Sequence, residues 1–184
     1  MTTLSVAAGL LVAAALLAGC CGSQNCDTCD PLGTDDVRVA FAADTLSGGG
    51  FYRNELRDAY LVRYARRDLT GTTDTIRQGK QAGGRPPLIF YGSGYGNGFG
   101  FRQLPPPPAL LPTSGATSYS FTDFSYRIVV PATGQQFSFS ELETASDPGR
   151  GCCACPRNTR RRFVLDGQYT VADGSAGTTT YLRR

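Results

Sequence analysis

Apolar residues are densest at the start of the chain. Nearly every position over residues 4–17 is Ala, Val, Leu or Gly, and none of the first nineteen side chains is charged. A membrane-spanning helix needs about 20 such residues, and this run breaks off into Gly19, Cys20, Cys21, Gly22, Ser23 and Gln24. The pattern predicts a cleaved export signal over residues 1–19; an uncleaved apolar anchor or a buried helix is the alternative. Residues 20–34 then hold few apolar side chains and many Gly, Ser, Asn, Asp and Cys, the composition of a flexible tether.

From Asp35 onward the apolar period becomes two. Val37, Val39 and Phe41 alternate with Arg38, Ala40 and Ala42, which predicts a half-buried strand, and residues 44–50 read as a turn. Residues 56–67 fit a helical face through Leu56, Tyr60 and Tyr64, and a strand face through Tyr60, Val62 and Tyr64; the β-branched and aromatic middle favours the strand. Shorter strands are predicted at 72–77 and 88–91, with a loop between them. Glycine alternates with Ser, Tyr, Asn and Phe over 92–100, and a four-proline run follows at 105–108. Such a run is extended and excluded from a sheet interior, so residues 92–112 are expected to form one long Gly/Pro-rich surface loop.

Beyond that loop, strands are predicted at Tyr119 and Phe121, over 126–130, and at Phe137 and Phe139. Asp166-Gly167 suits a tight hairpin between Phe163 and Leu165 on one side and Tyr169 and Val171 on the other. A second Asp-Gly, Asp173-Gly174, leads into a strand over 178–182. About seven or eight short strands, with no long amphipathic helix, predict a mainly β fold. The expected architecture is a single antiparallel β-sandwich, immunoglobulin-like or transthyretin-like, over residues 35–184.

The formal charge of +3 comes almost entirely from scattered arginines, with Lys80 the only lysine, so nucleic acid is not an expected partner. The chain has no histidine. That excludes a histidine general base, a Ser-His-Asp arrangement and His-containing zinc sites. Neither an enzyme nor a cofactor is expected.

Leu17-Ala18-Gly19-Cys20 resembles the bacterial lipobox, in which small residues precede a cysteine that is diacylated before the signal is removed. Taking Cys21 as the acceptor would lose the leucine, so the resemblance implies lipidation at Cys20. In general character the chain resembles the small cell-envelope lipoproteins of Gram-negative bacteria, particularly of the Bacteroidetes type. This implies a lipid-anchored protein of the envelope, at the outer membrane. Surface display in that group goes with acidic residues soon after the lipid-bearing cysteine, and here Asp27 and Asp30 come later, so the facing stays open. Each buried CH₂ of an acyl chain contributes about 0.8 kcal/mol, and two or more chains make attachment stable.

Six cysteines remain: Cys21, Cys26 and Cys29 near the tether, and Cys152, Cys153 and Cys155 before Phe163. In an oxidising envelope an even set predicts disulfides, with at least one bridge joining the clusters. Closing so long a loop contributes on the order of 4 to 5 kcal/mol in the chain-entropy picture. The alternative is a metal site in which Cys26, Cys29, Cys153 and Cys155 give thiolates to zinc or a soft ion. A redox role for Cys26-Asp27-Thr28-Cys29 needs a strand before it, where the tether lies.

Tyr91, Tyr95, Phe99 and Phe101 form a loop whose Tyr, Gly, Ser and Asn composition resembles binding loops. It is the candidate contact for a glycan or protein partner, against the alternative of a mobile linker whose aromatics fold back on the sheet. Glu141 and Glu143 would share one face of a strand, as a glycosidase pair does, but strand-end carboxylates are ordinarily just solvated. Arg160-Arg161-Arg162 reads as a solvated strand edge, or as a contact for anionic headgroups. The expected function is a non-enzymatic envelope module, stapled by disulfides on a lipid tether, that binds a partner or has an architectural role. The alternative is a thiolate metal-binding or redox lipoprotein.

Overall fold

The computed structural model describes residues 36–42, 48–78, 98–107, 119–148, 157–173 and 179–184. Among them the fold is mainly β and contains no α-helix. The strands are β1 (Arg38–Phe41), β2 (Tyr60–Tyr64), β3 (Thr73–Arg77), β4 (Gly98–Gly100), β5 (Ser125–Val130), β6 (Gln135–Asp147), β7 (Arg157–Leu165), β8 (Gln168–Val171) and β9 (Thr179–Leu182). Six of them form one sheet in the order β3-β2-β5-β6-β7-β8, with every neighbouring pair antiparallel. The other sheet runs β4-β1-β9, in which β1 pairs antiparallel with β4 and parallel with β9.

Both sheets contribute to one hydrophobic core. Val37, Val39, Phe41 and Leu182 from the smaller sheet meet Leu61, Ile76, Ile128, Phe137 and Phe139 from the larger. At one end Phe41, Phe51 and Phe137 pack edge to face, with centroids 5.0, 6.0 and 6.1 Å apart. At the other end Phe101 stacks on Tyr126 at 4.4 Å and meets Phe139 at 5.1 Å. Such pairs add to the area that aromatic rings already bury.

The strand over 38–41, the hairpins about Asp166-Gly167 and the strand at β9 follow the sequence pattern. Asp166 and Gly167 both have positive φ, 50° and 81°, as a tight turn of this kind requires. Residues 56–67 contribute a strand over Tyr60–Tyr64 and no helix. β1 does not alternate, because Val39, Ala40 and Phe41 are all buried: it is the middle strand of its sheet and is covered on both faces.

Four expectations need correction. Tyr119 and Phe121 are not in a strand. Ser120 accepts a hydrogen bond from the Thr122 amide while the Asp123 carboxylate accepts one from the Ser120 amide, and this capping box winds Phe121–Asp123 into a 3₁₀ turn. Nor are residues 92–112 surface loop throughout, since Gly98–Gly100 is strand β4, and Phe99 and Phe101 are 7% and 1% exposed in the core. The strand at Phe137 and Phe139 continues to Asp147 through two irregularities, between Ser140 and Glu143 and between Ala145 and Ser146. Finally, the run Arg160–Arg162 is solvated only at Arg160, which is exposed; Arg161 is 2% exposed and Arg162 pairs with Val171 on β8.

Candidate functional site

β2 is the unusual strand. Its Tyr60, Val62 and Tyr64 face outward, half-buried, and the alternation then turns Leu61 and Arg63 toward the core. Arg63 is 1% exposed. The register sets it opposite Asp74 on β3 and Tyr126 on β5. Its Nη2 lies 2.5 Å from Asp74 Oδ2 and donates to the Pro106 carbonyl at 3.3 Å, while Nη1 donates to the Pro105 carbonyl at 2.8 Å. The guanidinium carbon stands 5.5 Å from the Phe124 ring centroid. A buried charge is tolerable only when it is paired and hydrogen-bonded. The proline run supplies much of the second requirement, because it offers carbonyl acceptors to Nη1 and Nη2 and no competing N–H, while among the described residues the buried Nε has no partner.

Beside Arg63, the Tyr126 phenol is buried against Phe101 and donates to the Phe121 carbonyl at 2.8 Å. Burial holds its pKa well above the ordinary tyrosine range, so it stays neutral. The next buried acid is Asp36, fully enclosed at the start of β1. Its Oδ1 accepts from the Arg102 amide at 3.0 Å, and among the described residues its Oδ2 has no partner. Burial pushes its pKa up to about 6, against the lowering pull of the Arg102 amide and the Arg38 charge. The carboxyl rests on Gly100, where a Cβ would lie 1.5 Å from Oδ2, so only glycine fits there. Asp36 thereby ties the 3₁₀ turn Phe101–Gln103 to β1.

These supports surround a cleft of about 310 Å³, the lower end of the range for small-molecule sites. Arg63, Phe101, Leu104 and Tyr126 line its depth, and Arg102, Tyr119, Ser120, Phe121 and Thr144 complete the wall. Tyr119, 40% exposed, leans edge-on against Phe124 at 6.3 Å and leaves part of its ring to solvent. Arg102 is exposed, and the Ser120 hydroxyl bonds Thr122 Oγ1 at 2.7 Å within its own turn. Among the described residues the arrangement joins aromatic rings, hydroxyls and two arginines, with no nucleophile set beside a base. It can hold a small ligand in place.

Of the candidates read from sequence, Cys20, Cys21, Cys26, Cys29, Cys152, Cys153, Cys155, Tyr91 and Tyr95 lie outside the described residues. Phe99 and Phe101 offer no partner contact at the surface; Phe101 instead helps to line the cleft from within the core. Glu141 sits in the irregular step of β6 with φ 50°, 3.5 Å from Arg67, whereas Glu143 is 3.9 Å from Arg160. They bond to different neighbours as exposed carboxylates and form no glycosidase pair. Arg162 bonds Asp173 at 2.7 Å, which holds the Asp173 carboxyl below the usual carboxylate range. No three His, Cys, Asp or Glu residues converge to hold a metal among the described residues. No helix there is long and apolar enough to cross a membrane.

Arg63, Arg102, Tyr119 and Thr144 escape a reading of the sequence alone. The Ser120-x-x-Asp123 capping box was the one local signal that could have placed Tyr119 and Ser120 at a turn. Comparison with family models, with curated proteins and with solved structures finds no match.

Proposed function

We propose that this chain is a non-enzymatic cell-envelope lipoprotein, anchored through acyl groups on Cys20, whose β domain holds a saccharide unit in the cleft beside Tyr119. The observation that carries the binding part is the cleft itself. Its rings at Tyr119 and Phe121 suit the apolar C–H face of a pyranose, and Ser120, Thr144 and Arg102 supply hydrogen bonds to sugar hydroxyls. The lipobox Leu17-Ala18-Gly19-Cys20 supports the anchor, which places the domain at a bilayer of the envelope, the outer membrane in this reading. The six remaining cysteines are structural staples, with at least one bridge between the clusters.

Two experiments test the reading. Cells fed labelled palmitate should label the parent protein, while a Cys20→Ala variant should take up no label and leave the membrane fraction; an unlabelled parent would remove the anchor. A glycan array probed with the purified lipoprotein in nanodiscs should give signals that Tyr119→Ala lowers at least tenfold. Signals unchanged in Tyr119→Ala would remove the cleft from the account.

A further inference from the structure

The six-stranded sheet turns Leu61, Ile76, Ile128 and Phe163 into the core. Alternation therefore puts Tyr60, Val62 and Tyr64 on its outer face. Arg77 stands opposite Tyr60 on β3, and Arg127 opposite Val62 on β5. At the far edge Tyr169 and Val171 of β8 turn to the same side, 62% and 57% exposed. The Arg77 guanidinium lies over the Tyr60 ring at 5.0 Å and that of Arg127 over the Tyr64 ring at 5.4 Å. Arg127 Nε also donates to Ser138 Oγ at 3.3 Å.

Among the described residues neither arginine forms an ion pair, and the acids nearby are engaged elsewhere. Asp74, on the same strand as Arg77, points inward to Arg63. Asp166 turns one oxygen onto the Ser138 amide at 2.7 Å. Toward β8, Glu143 lies 3.9 Å from Arg160 and Asp173 lies 2.7 Å from Arg162. The outer positions of β2, β3 and β5 thus carry two arginines and no acid. We propose that this outer face lies on the anionic headgroups of the bilayer, with Arg77 and Arg127 against lipid phosphates. The inference rests on the lipid anchor of the reading above and adds the pose of the anchored domain.

Tyrosine has an apolar ring and a polar tip, and therefore favours the depth of the headgroups. A guanidinium matches a phosphate with two parallel hydrogen bonds while its stem lies along apolar surface. Each arginine beside an anionic leaflet favours the docked pose by about fivefold, and the pair by about 25-fold. That is too little to recruit a free protein, but it orients one already anchored, for which docking is intramolecular. A soluble acidic polymer would satisfy the arginines and leave Tyr169 and Val171 without a contact. A second copy packed face to face would bring the same unpaired arginines toward one another.

Magnetic resonance of the full lipoprotein in nanodiscs tests this, with a gadolinium chelate on a fraction of the headgroups. Sheets stack about 10 Å apart, and such broadening falls with the sixth power of distance. In discs containing phosphatidylglycerol, the amides of Val62, Arg127 and Tyr169 are expected to broaden at least about fivefold more than those of Val39 and Thr180 in the smaller sheet. In discs of phosphatidylcholine alone the contrast should vanish. Arg77→Gln with Arg127→Gln should abolish it in anionic discs, and Arg77→Lys with Arg127→Lys should retain most of it. Equal broadening of both sheets in anionic discs, or a contrast that survives the glutamine pair, would overturn the docked face while leaving the anchor in place. Shifts on this face that depend on protein concentration, or that arise with soluble heparin and not with anionic discs, would assign it to a second copy or an acidic polymer and overturn it as well. Failure to co-elute with either kind of disc would overturn anchor and docked face together.

Discussion

The two ends of the core are built from the same ring chemistry and behave differently. At the end formed by Phe41, Phe51 and Phe137, three buried rings close on one another, and the charge that meets them, Arg184 over the Phe51 ring at 5.6 Å, is paired with Glu55 and stays partly exposed. At the end formed by Phe101, Tyr126 and Phe139, the rings enclose Arg63, Asp74, a phenol and the carboxyl of Asp36, and a cleft opens among them. The first end gains chiefly from apolar burial and keeps its charge near solvent. The second buries charge, which is costly unless every partner is present. Buried polar groups that do not improve on an apolar core point to a task other than stability.

The largest effects should come from removing one partner at each end. Phe137→Ala is expected to cost about 3–5 kcal/mol through the cavity it leaves, read as a fall in the urea midpoint, with saccharide affinity unchanged. Arg63→Met should cost about 3–5 kcal/mol because Asp74 and two proline carbonyls lose their donor. Combining it with Asp74→Ala should recover part of that loss, since the stranded charge goes with its partner. Strict additivity of the two substitutions would show that the pair is not coupled.

Next comes a pH effect confined to the polar end. The folded Asp36 keeps its proton up to about pH 6, above its ordinary value of 3.8. Stability is therefore greatest below that ordinary value and falls as pH rises through about 6, by about 3 kcal/mol, then levels off for this group. Asp36→Asn should flatten the urea-derived stability curve between pH 4 and 6. A parent curve already flat in this window would contradict the burial of an unsatisfied carboxyl.

The smallest effect belongs to the outer face of the large sheet, where Arg77 covers Tyr60 at 5.0 Å and Arg127 covers Tyr64 at 5.4 Å. Arg127→Ala should cost no more than about 1 kcal/mol in chemical denaturation, well below either core substitution.

The strands were legible wherever apolar residues alternate and turn residues flank them, as at β5 and about Asp166-Gly167. The site was not, because its parts come from segments that pattern assigns to other tasks. β2 reads as an outward row of Tyr60, Val62 and Tyr64, and nothing local shows that the intervening Arg63 points into the core; that follows from its register with Asp74 on a neighbouring strand. Phe99 and Phe101 look like loop aromatics because glycine surrounds them. Here glycine serves close approach, with Gly100 passing against the Asp36 carboxyl. Tyr119 alternates with Phe121 as strand residues would, and the capping side chains of Ser120 and Asp123 override that period.

Amide shifts of the isotope-labelled protein titrated with the saccharide that gives the strongest glycan-array signal test most directly whether the polar end is the ligand-contact end. The amides of Arg102, Ser120, Phe121 and Thr144 should move with one common saturation curve while those of Phe41, Phe51 and Phe137 stay still. Shifts gathered at the Phe41 end, or none at the cleft at saturating ligand, would contradict it.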